Sequence, residues 1–401
     1  MSKEYLKSND TLTSFDEKVD LCFRAAINLN HPVAIWRNTA SNYTHIACQL
    51  SNNEYTINDL ESADSGFIFG AFEKSKAKKY IKADIILSSE TNQFEVSPTF
   101  TDSDKVDKFN EHLNQLNLED AFDYTKHVNN LAHEDLSKSA YLSLVSKSID
   151  AIESGGFQKI VPSRTKPWSF SSEFNPLKEF NKLCEAYANA FVSLVYIPNE
   201  GMWLGATPEL LISVNDKKQF KTVALAGTQA IPEAFQLSKA AWTQKDIEEQ
   251  ALVSRYIINC FKKIRLREFD EYGPKTVKAA NLIHLKTEFK VDMEAVNFAQ
   301  LGTVMLDLLH PTSAVCGMPM EASTKFLANN EGYDRSYYAG FLGPVNFKSE
   351  TNIFVNLRCM QIMKDHAILY AGGGVTEDSE PESEWLETEM KFNTLLNILN
   401  A

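Results

Sequence analysis

A group of ionisable side chains follows three consecutive glycines near the C-terminus of the chain. Glu384, Glu387 and Lys391 are spaced three and four residues apart. At about 100° per residue they fall on one side of a helix. Two carboxylates and an ammonium group could bind a cation or an anionic ligand, whereas the ordinary interpretation is a solvated helix face with one Glu–Lys pair. The glycines at residues 372–374 favour a functional site, because exposed backbone amides beside a helix start attract anions.

The segment after the glycines is predicted to form a helix beginning near Pro381, since proline is tolerated in the first helical turn. Ser379 is expected to be its N-cap, with Glu382 as the capping-box partner. Four apolar side chains recur at helical spacing and form one stripe: Trp385, Phe392, Leu396 and Leu399. The two glutamates and the lysine are therefore expected beside a buried face.

Two more ionisable residues lie in apolar surroundings. Lys159 belongs to a strand predicted at residues 157–164. If its ammonium group points inward, desolvation lowers its pKa towards that of a general base; otherwise the side chain simply reaches solvent. Glu209 belongs to a strand predicted at residues 203–212 and broken by Gly205 and Pro208. Burial there would raise its pKa and suit it to donate a proton, whereas an edge-strand carboxylate facing water is the alternative.

Arg358 and Glu249 are the next candidates. Arg358 stands in the middle of an alternating strand predicted at residues 353–363, where an arginine usually has an anionic partner. Glu249 lies in the first turns of a helix predicted at residues 243–263, where acids also complement the helix dipole. Carboxylates from this helix and from the C-terminal helix could together bind a hard divalent cation, with Mg²⁺ favoured by all-oxygen ligands. Sequence spacing alone does not show that these groups converge.

The remaining pattern predicts the elements that must position these side chains. Amphipathic helices are expected at residues 14–29, 104–116 and 137–154, the last ending at two glycines. Further strands are expected at residues 32–37, 45–50, 66–73, 83–89, 190–198, 223–228, 275–285, 333–345 and 366–370. A polar, irregular stretch at residues 119–134 is the best candidate for a boundary.

Composition and charge exclude several classes of function. The 401 residues carry a net charge of −13, which argues against a nucleic-acid or anionic-membrane surface but not against a small anionic substrate. No apolar run reaches the ~18 residues of a membrane span, and the polar N-terminus lacks the apolar core of a signal peptide. The six cysteines are scattered without a Cys-x-x-Cys pair, and no zinc or nucleotide motif is present. We therefore expect a cytoplasmic protein.

From about residue 137 to its end, the chain contains eight ordered motifs that together resemble one enzyme family. They are KIVPSR at 159–164, LGATPELL at 204–211, LAGT at 225–228, KDIEEQ at 245–250, LHPTSAV at 309–315, RSYYAG at 335–340, LRC at 357–359 and GGG with EWLETEMK within 372–391. These motifs resemble those of the chorismate-utilising enzymes, which include isochorismate synthases, salicylate synthases and the large subunits of anthranilate and aminodeoxychorismate synthases.

The resemblance implies a single α+β domain of two packed antiparallel β-sheets flanked by helices. Residues 137–401 would form the chorismate-binding core, and residues 1–130 a variable N-terminal part integrated in the same fold. Members that add water to chorismate at C2 resemble this chain in carrying a lysine at position 159. The implied protein is thus an Mg²⁺-dependent monomer that isomerises chorismate without a glutaminase partner. Salicylate synthase, an aminating subunit and a binding protein without turnover remain the alternatives.

The family's functional residues also carry over by resemblance. Lys159 would be the general base and Glu209 the general acid. Glu249 and Glu387 would bind Mg²⁺, with Glu384 as a ligand acting directly or through water. The substrate would be held by Gly227, Thr228, His284, Ala314, Arg358, Gly372, Gly374 and Lys391.

The chain departs from the family's usual pattern at three positions near these motifs. Gln250 replaces a common histidine after Glu249, and Gln229 stands where arginine is frequent. Lys286 occupies a position where a small residue is frequent, and it could change the charge near the pocket. None of the three removes a proposed catalytic group.

Overall fold

The computed structural model describes residues 14–128, 136–171, 173–230, 240–279 and 282–400. Within these ranges the α-helices are α1 (Phe15–Asn28), α2 (Ser103–Gln115), α3 (Lys138–Glu153), α4 (Pro176–Ala186), α5 (Gln244–Lys263), α6 (Leu301–Leu309), α7 (Met320–Asn330) and α8 (Pro381–Leu399). A 3₁₀ helix spans Tyr124–His127. None of the helices in these ranges is long and apolar enough to cross a membrane.

The strands form two large antiparallel sheets and one small ribbon. The nine-stranded sheet contains β1 (Val33–Arg37), β2 (Thr44–Cys48), β5 (Ile85–Ser88), β6 (Gln93–Val96), β8 (Ser163–Ser169), β9 (Phe191–Ile197), β10 (Gly201–Thr207), β18 (Cys359–Ile362) and β19 (His366–Gly372). The eight-stranded sheet contains β3 (Gly66–Gly70), β4 (Lys79–Lys82), β11 (Leu210–Val214), β12 (Gln219–Ala230), β13 (Asp270–Ala279), β14 (Leu282–Asp292), β16 (Phe341–Val345) and β17 (Thr351–Val355). The ribbon pairs β7 (Lys159–Ile160) with β15 (Gly317–Met318).

The nine-stranded sheet is the middle layer of the fold, with its strands in the order β6-β5-β2-β1-β9-β10-β18-β19-β8. Its central strand β9 is buried at every position, as a strand covered on both faces must be. One face packs on the eight-stranded sheet, where Phe191 stacks on Phe354 with ring centroids 4.2 Å apart. The other face shares a core with α1, α2, α4 and α8. The predicted α+β fold of two packed antiparallel sheets flanked by helices is confirmed.

Strands from the N-terminal region occur in both sheets. β1, β2, β5 and β6 belong to the nine-stranded sheet, and β3 and β4 to the eight-stranded sheet. β1 pairs with β9 from Val33 opposite Tyr196 to Arg37 opposite Val192. The candidate boundary at residues 119–134 lies partly outside the described residues.

The helices were the best-predicted elements. α1, α2, α3 and α5 each begin and end within one residue of the expected bounds. Both α1 and α5 begin with a capping box, at Ser14 with Glu17 and at Thr243 with Asp246. These helices are amphipathic and clearly capped, so local sequence was sufficient to place them.

The strand predicted at residues 353–363 is wrong, and the error affects the site. The segment forms two strands in different sheets: β17 ends at Val355, and β18 begins at Cys359. Arg358, between them, has a φ of 46°, a left-handed conformation that cannot continue a strand. The apolar alternation continues through the break and therefore concealed it.

Four other strand predictions also change. The strand predicted at residues 203–212 divides between β10 and β11, which belong to different sheets. Residues 275–285 belong to two antiparallel strands, β13 and β14, whose junction at residues 280–281 lies outside the described residues. In the stretch 333–345 only Phe341–Val345 is a strand, and residues 157–164 divide between β7 and β8.

The chain passes between the two large sheets at two neighbouring crossovers. Between β10 and β11 it leaves the nine-stranded sheet at Glu209, and between β17 and β18 it returns at Arg358. The Val355 amide donates to the Glu209 carbonyl at 2.9 Å, and the Ala206 amide donates to the Arg358 carbonyl at 3.0 Å. These backbone bonds hold Glu209 and Arg358 side by side, although they are far apart in sequence.

Candidate active site

A cleft with about 660 Å³ of empty space, part of it open to solvent, lies between the two crossovers and helices α5 and α8. The ionisable residues that line it are Glu209, Glu249, His284, Arg358, Glu387 and Lys391. The predicted residues Gly227, Ala314, Gly372 and Gly374 also line it. We call the side with Glu209 and Arg358 the crossover wall, and the side with Glu249, Glu387 and Lys391 the helix wall.

Glu209 on the crossover wall has the environment of a proton donor. The residue is 8% exposed. Burial raises the pKa of its carboxyl to about 7, even though the charges of Arg358 and Lys159 favour the ionised form. A carboxyl with this pKa is protonated in a large fraction of molecules near neutral pH, as a general acid must be.

Arg358 presents a fixed positive charge to the same wall. Burial lowers the pKa of its guanidinium, while Tyr338, Glu387 and Glu209 favour the charged form. Because an arginine pKa begins above 12, the group stays charged. Glu387 and Glu209 thus act on the guanidinium through space, and its planar group is suited to bind a carboxylate.

On the helix wall, Lys159 and Glu249 form an ion pair. Lys159 Nζ lies 2.5 Å from Glu249 Oε1, and the lysine is 1% exposed. Lys159 therefore points inward, behind Glu249, and does not itself line the cleft. Burial would raise the pKa of Glu249, but Lys159, Lys391 and the Gly227 amide outweigh burial and hold the pKa below its ordinary value. Glu249 is thus ionised at neutral pH.

A bulge in β12 brings the backbone of Gly227 to the helix wall. Gly227 has a φ of 69°, its amide donates to Glu249 Oε2 at 3.2 Å, and its carbonyl lies 2.9 Å from His284 Nδ1. Burial, with a further contribution from Arg358, lowers the pKa of His284 to about 4. The imidazole is therefore neutral near pH 7, with Nδ1–H as the donor to the carbonyl. The side chain of Thr228 lies outside the described residues.

The glycine triplet has a different role from the predicted anion-binding loop of free amides. The Gly373 amide already donates to the Pro162 carbonyl at 3.1 Å. A Cβ at Gly373 would lie 2.8 Å from Glu384 Oε2, and one at Gly374 would lie 2.6 Å from Lys159 Cε. Both contacts are shorter than 3.0 Å, so a side chain at either position would force Glu384 or Lys159 to move. These glycines are needed because buried charged side chains pack directly against the backbone.

The predicted cap of the C-terminal helix is wrong. Glu380 is the N-cap of α8, and it makes no capping hydrogen bond through its side chain. The Ser379 hydroxyl instead donates to Glu384 Oε1 at 2.8 Å and accepts from Lys245 Nζ at 3.2 Å and from the Thr376 amide at 3.1 Å. Ser379 therefore helps to hold Glu384 rather than to begin the helix.

The buried face of α8 also differs from the predicted stripe. Its buried residues are Glu384, Thr388, Phe392, Thr394, Leu395 and Leu399. Glu384, which is 1% exposed, thus lies within the buried face and not beside it. Burial raises the pKa of its carboxyl, Glu387 raises it further, and Lys245 opposes both. The sequence pattern failed here because a charged residue occupies a core position.

Lys391 and Glu387 form the expected i,i+4 pair, at 2.7 Å, and both face the cleft. Lys391 Nζ also donates to the Gly372 carbonyl at 2.7 Å. The ammonium group therefore connects α8 to the end of β19. A positive charge in this position is available to an anionic ligand in the cleft.

The carboxylates of the helix wall have the chemistry to bind a hydrated divalent cation. Glu249 and Glu387 line the cleft, and Glu384 Oε2 is buried with no hydrogen-bond partner in the described part of the chain. The described ranges contain no group of three or more His, Cys, Asp or Glu side chains arranged to hold a metal ion. Mg²⁺ commonly keeps several waters and uses one or two carboxylates, so two cleft-facing carboxylates fit it.

Sequence reasoning missed three residues that belong to this site. Tyr338 lines the cleft, and Lys245 and Ser379 hold Glu384. Tyr338 and Lys245 both lie within the recognised motifs, which was the available signal. The position of Ser379 just before the helix indicated a cap and concealed its other role.

The three departures from the family pattern have local partners. The Gln250 amide donates to the Ala224 carbonyl and to Thr287 Oγ1, so it ties α5 to the eight-stranded sheet. The Gln229 amide donates to Asp246. Lys286 forms an ion pair with Glu288 at 3.1 Å.

Comparison with known proteins gives a consistent result. Residues 71–400 match the family described as chorismate binding enzyme. The chain is 29% identical over 209 residues to the isochorismate synthase EntC of Escherichia coli, covering 51% of this chain and 52% of EntC. It is 31% identical over 251 residues to the chloroplastic isochorismate synthase of Catharanthus roseus, covering 60% of this chain and 42% of that protein. The match thus spans about half the length of these curated relatives.

The fold has a close counterpart among solved structures. The menaquinone-specific isochorismate synthase MenF from Escherichia coli superposes with a TM-score of 0.73 at 21% identity, covering 94% of this chain and 91% of MenF. At this level of identity the comparison demonstrates the shared fold.

Proposed function

Because this chain belongs to the chorismate binding enzyme family, we propose that it is an isochorismate synthase, which isomerises chorismate to isochorismate. The relatives named isochorismate synthase support this assignment. The structural observation that carries it is the carboxyl of Glu209, whose pKa is raised to about 7 on a cleft that also contains the buried Lys159–Glu249 pair. One wall thus offers a proton donor, and behind the other lies a lysine that can act as a base once it has lost its own proton.

The reaction exchanges a hydroxyl group by moving two protons in opposite directions. A water molecule bonds to C2 of the ring and gives a proton to Lys159, and the ring double bonds shift. The C4–O bond breaks, and the departing hydroxyl takes a proton from Glu209 and leaves as water. The two waters cancel, so the product is an isomer of the substrate. Before acting as the base, Lys159 must lose its own proton and exchange Glu249 for the attacking water.

Chorismate carries two carboxylates, and the cleft offers two cations to them. Arg358 suits bidentate binding of one carboxylate, because its guanidinium is planar and always charged. Lys391 lies at the opposite wall beside the backbone of Gly372. Neutral His284 and the Gly227 backbone between these walls can orient the hydroxyl groups of the ring.

Mg²⁺ is the proposed cofactor, with Glu249 and Glu387 as the residues that would hold it. When bound, the ion would neutralise the charge of a substrate carboxylate and fix its position. The chain's own contribution is to keep these carboxylates ionised, and the low pKa of Glu249 meets that requirement. A monomeric, cytoplasmic enzyme without a glutaminase partner, serving menaquinone or siderophore biosynthesis, completes the proposal.

The direct test is to incubate the purified protein with chorismate and MgCl₂ and to identify the product. We expect a compound of unchanged mass with the chromatographic retention of isochorismate. Release of pyruvate would favour salicylate synthase instead. Formation of an aminated product only when ammonium is added would favour an aminating subunit, and binding without turnover would contradict the assignment as an enzyme.

A further inference from the structure

Each carboxylate of the proposed cation site is paired with its own lysine. Glu249 pairs with Lys159, Glu387 with Lys391 and Glu384 with Lys245. Lys159 and Lys391 have roles in the proposed reaction, as base and as substrate contact. Lys245 has no role in the proposed reaction.

Lys245 is held against Glu384 by an ion pair and by two hydrogen bonds that involve Ser379. Its Nζ lies 2.9 Å from Glu384 Oε1 and 3.2 Å from Ser379 Oγ, and the Ser379 hydroxyl donates to the same carboxylate oxygen at 2.8 Å. The lysine side chain is 39% exposed, whereas that of Glu384 is 2% exposed. The lysine therefore reaches from the first turn of α5 into the buried face of α8. One oxygen of Glu384 is fully engaged, and the other lies against the Gly373 backbone.

The same ammonium group is electrostatically coupled to the whole carboxylate set. Glu384, Glu387 and Glu249 all favour its charged form. A positive charge within this set opposes the binding of any cation, and it opposes most strongly a cation that would need Glu384 as a direct ligand. Glu249 and Glu387 also have lysine partners but line the cleft, whereas Glu384 does not line it and its Oε1 is held by Lys245 and Ser379, so two carboxylates remain usable.

We propose that Lys245 is a selectivity-determining residue: by occupying Glu384 it leaves a two-carboxylate site that accepts Mg²⁺ and disfavours Ca²⁺. This inference rests on the proposed cation site of the same cleft. Ca²⁺ takes six to eight oxygen ligands in flexible geometry and gains from each added carboxylate. Mg²⁺ binds through one or two carboxylates and keeps its remaining waters, so it gains little from a third.

The experiment compares cation binding in the full-length protein after removal of metal and without chorismate. Isothermal titration calorimetry with MgCl₂ and with CaCl₂ gives two dissociation constants for each protein. The variants are Lys245→Met, which removes the charge at similar length, and Lys245→Arg, which keeps it. The matched control is Lys138→Met. Lys138 lies on α3 and forms an exposed pair, at 2.8 Å, with Glu382 on α8, the helix that carries Glu384. Thermal unfolding verifies that each variant is folded.

We expect Lys245→Met to bind both cations more tightly than the wild type, because a positive charge is removed, and the affinity for Ca²⁺ to increase by about tenfold more than that for Mg²⁺. Lys245→Arg and Lys138→Met should keep the wild-type ratio. Weaker binding of both cations by Lys245→Met would overturn the proposal, since it would mean that Lys245 only supports Glu384. Equal gains for both cations, or no cation binding by the wild type, would overturn it as well. Product formation from chorismate, assayed separately, reports on the proposed function independently of this ratio.

Discussion

Glu209 and Glu249 are chemically identical side chains on two walls of one cleft, and their surroundings shift their pKa values in opposite directions. Burial without a close ion pair raises the pKa of Glu209 to about 7. The Glu249 side chain is partly buried, with 22% of it exposed, and its contact with Lys159 at 2.5 Å holds its pKa below the ordinary value. The deciding difference is therefore one lysine at contact distance.

The backbone explains why the two walls differ. The crossover wall forms where the chain passes from one sheet to the other. Each crossover contributes one ionisable side chain, Glu209 or Arg358, from a backbone segment that belongs to neither a helix nor a strand. The helix wall is made from α5 and α8, where successive turns supply charges in pairs, such as Glu387 with Lys391. A buried carboxyl without an ion pair, such as Glu209, suits proton donation because its pKa can move towards neutrality. A carboxylate held by a lysine, such as Glu249, suits cation binding because its pKa stays below the ordinary value.

The largest expected effect comes from the helix wall, at Lys159. The Lys159→Ala variant should lose isochorismate formation by about 1,000-fold or more, since a positioned general base contributes about 10²–10⁴-fold. The measurement is the initial rate of product formation from chorismate, with circular dichroism to verify the fold. Lys166→Ala is the matched control, because Lys166 pairs with Glu389 at 2.6 Å and does not line the cleft. Full activity in a folded Lys159→Ala protein would exclude the proposed base.

On the crossover wall, Glu209→Gln separates activity from stability. We expect its rate to fall by about 100-fold or more, because an amide cannot donate the proton. The decline of wild-type activity above pH about 7, where Glu209 loses its proton, should be absent from the residual activity of the variant. A variant with wild-type rate and an unchanged pH profile would remove Glu209 from the mechanism.

The same substitution should lower activity but increase the free energy of unfolding at high pH. Between the ordinary pKa of 4.5 and the folded-state value of about 7, the folded protein retains a proton that the unfolded chain has lost. The free energy of unfolding therefore decreases as the pH rises through this range, by about 3 kcal/mol in total. Glu209→Gln should be closer to the wild type at pH 4.5 and more stable than the wild type at pH 8. Thermal unfolding at both pH values measures this difference.

A smaller effect on activity is expected when the positive charge of the crossover wall is kept and its planar guanidinium is replaced. Arg358→Lys preserves the positive charge beside Glu209 and removes the planar donor pair. We expect the KM for chorismate to rise by about tenfold with a smaller change in kcat, because bidentate binding of a carboxylate is lost. The pH at which activity declines should remain that of the wild type. A shift of this pH with unchanged KM would mean that Arg358 acts on Glu209 rather than on substrate.

The walls also differ in how much of them could be predicted. Helices α5 and α8 were expected from periodicity, so the paired charges of the helix wall could be placed on them in advance. The crossover wall could not be derived in this way. Arg358 sits in an apolar alternation that continues across two sheets, and only its φ of 46° separates the strands. Sheet membership depends on partners distant in sequence, which a local pattern does not contain.

Charged residues in core positions were the second source of error. Glu384 interrupts the apolar stripe of α8, so the pattern assigned it to the edge of the buried face. Ser379 has the residue type and position of an N-cap, yet its hydroxyl is used by Glu384. Lys245 belongs to a recognised motif that gives it no role, because its partner lies on another helix. The motifs contain Glu384 and Lys245 but not Ser379, and for all three residues only tertiary contacts give the partner.

The smallest expected effect tests the helix wall through Ser379, by a double-mutant cycle on unfolding free energies. The hydrogen bond from Ser379 to Glu384 predicts a coupling of about 1 kcal/mol between Ser379→Ala and Glu384→Gln. The sequence-based capping box instead predicts coupling between Ser379→Ala and Glu382→Gln. The structure gives Glu382 an exposed lysine partner, Lys138, so that coupling should be close to zero. Coupling to Glu382 with none to Glu384 would restore the cap and remove Ser379 from the site. Coupling to Glu384 alone would mean that the helix wall extends beyond α8 into the loop before it. That loop would then help to hold a buried carboxylate, whereas the charges of the crossover wall have no such support.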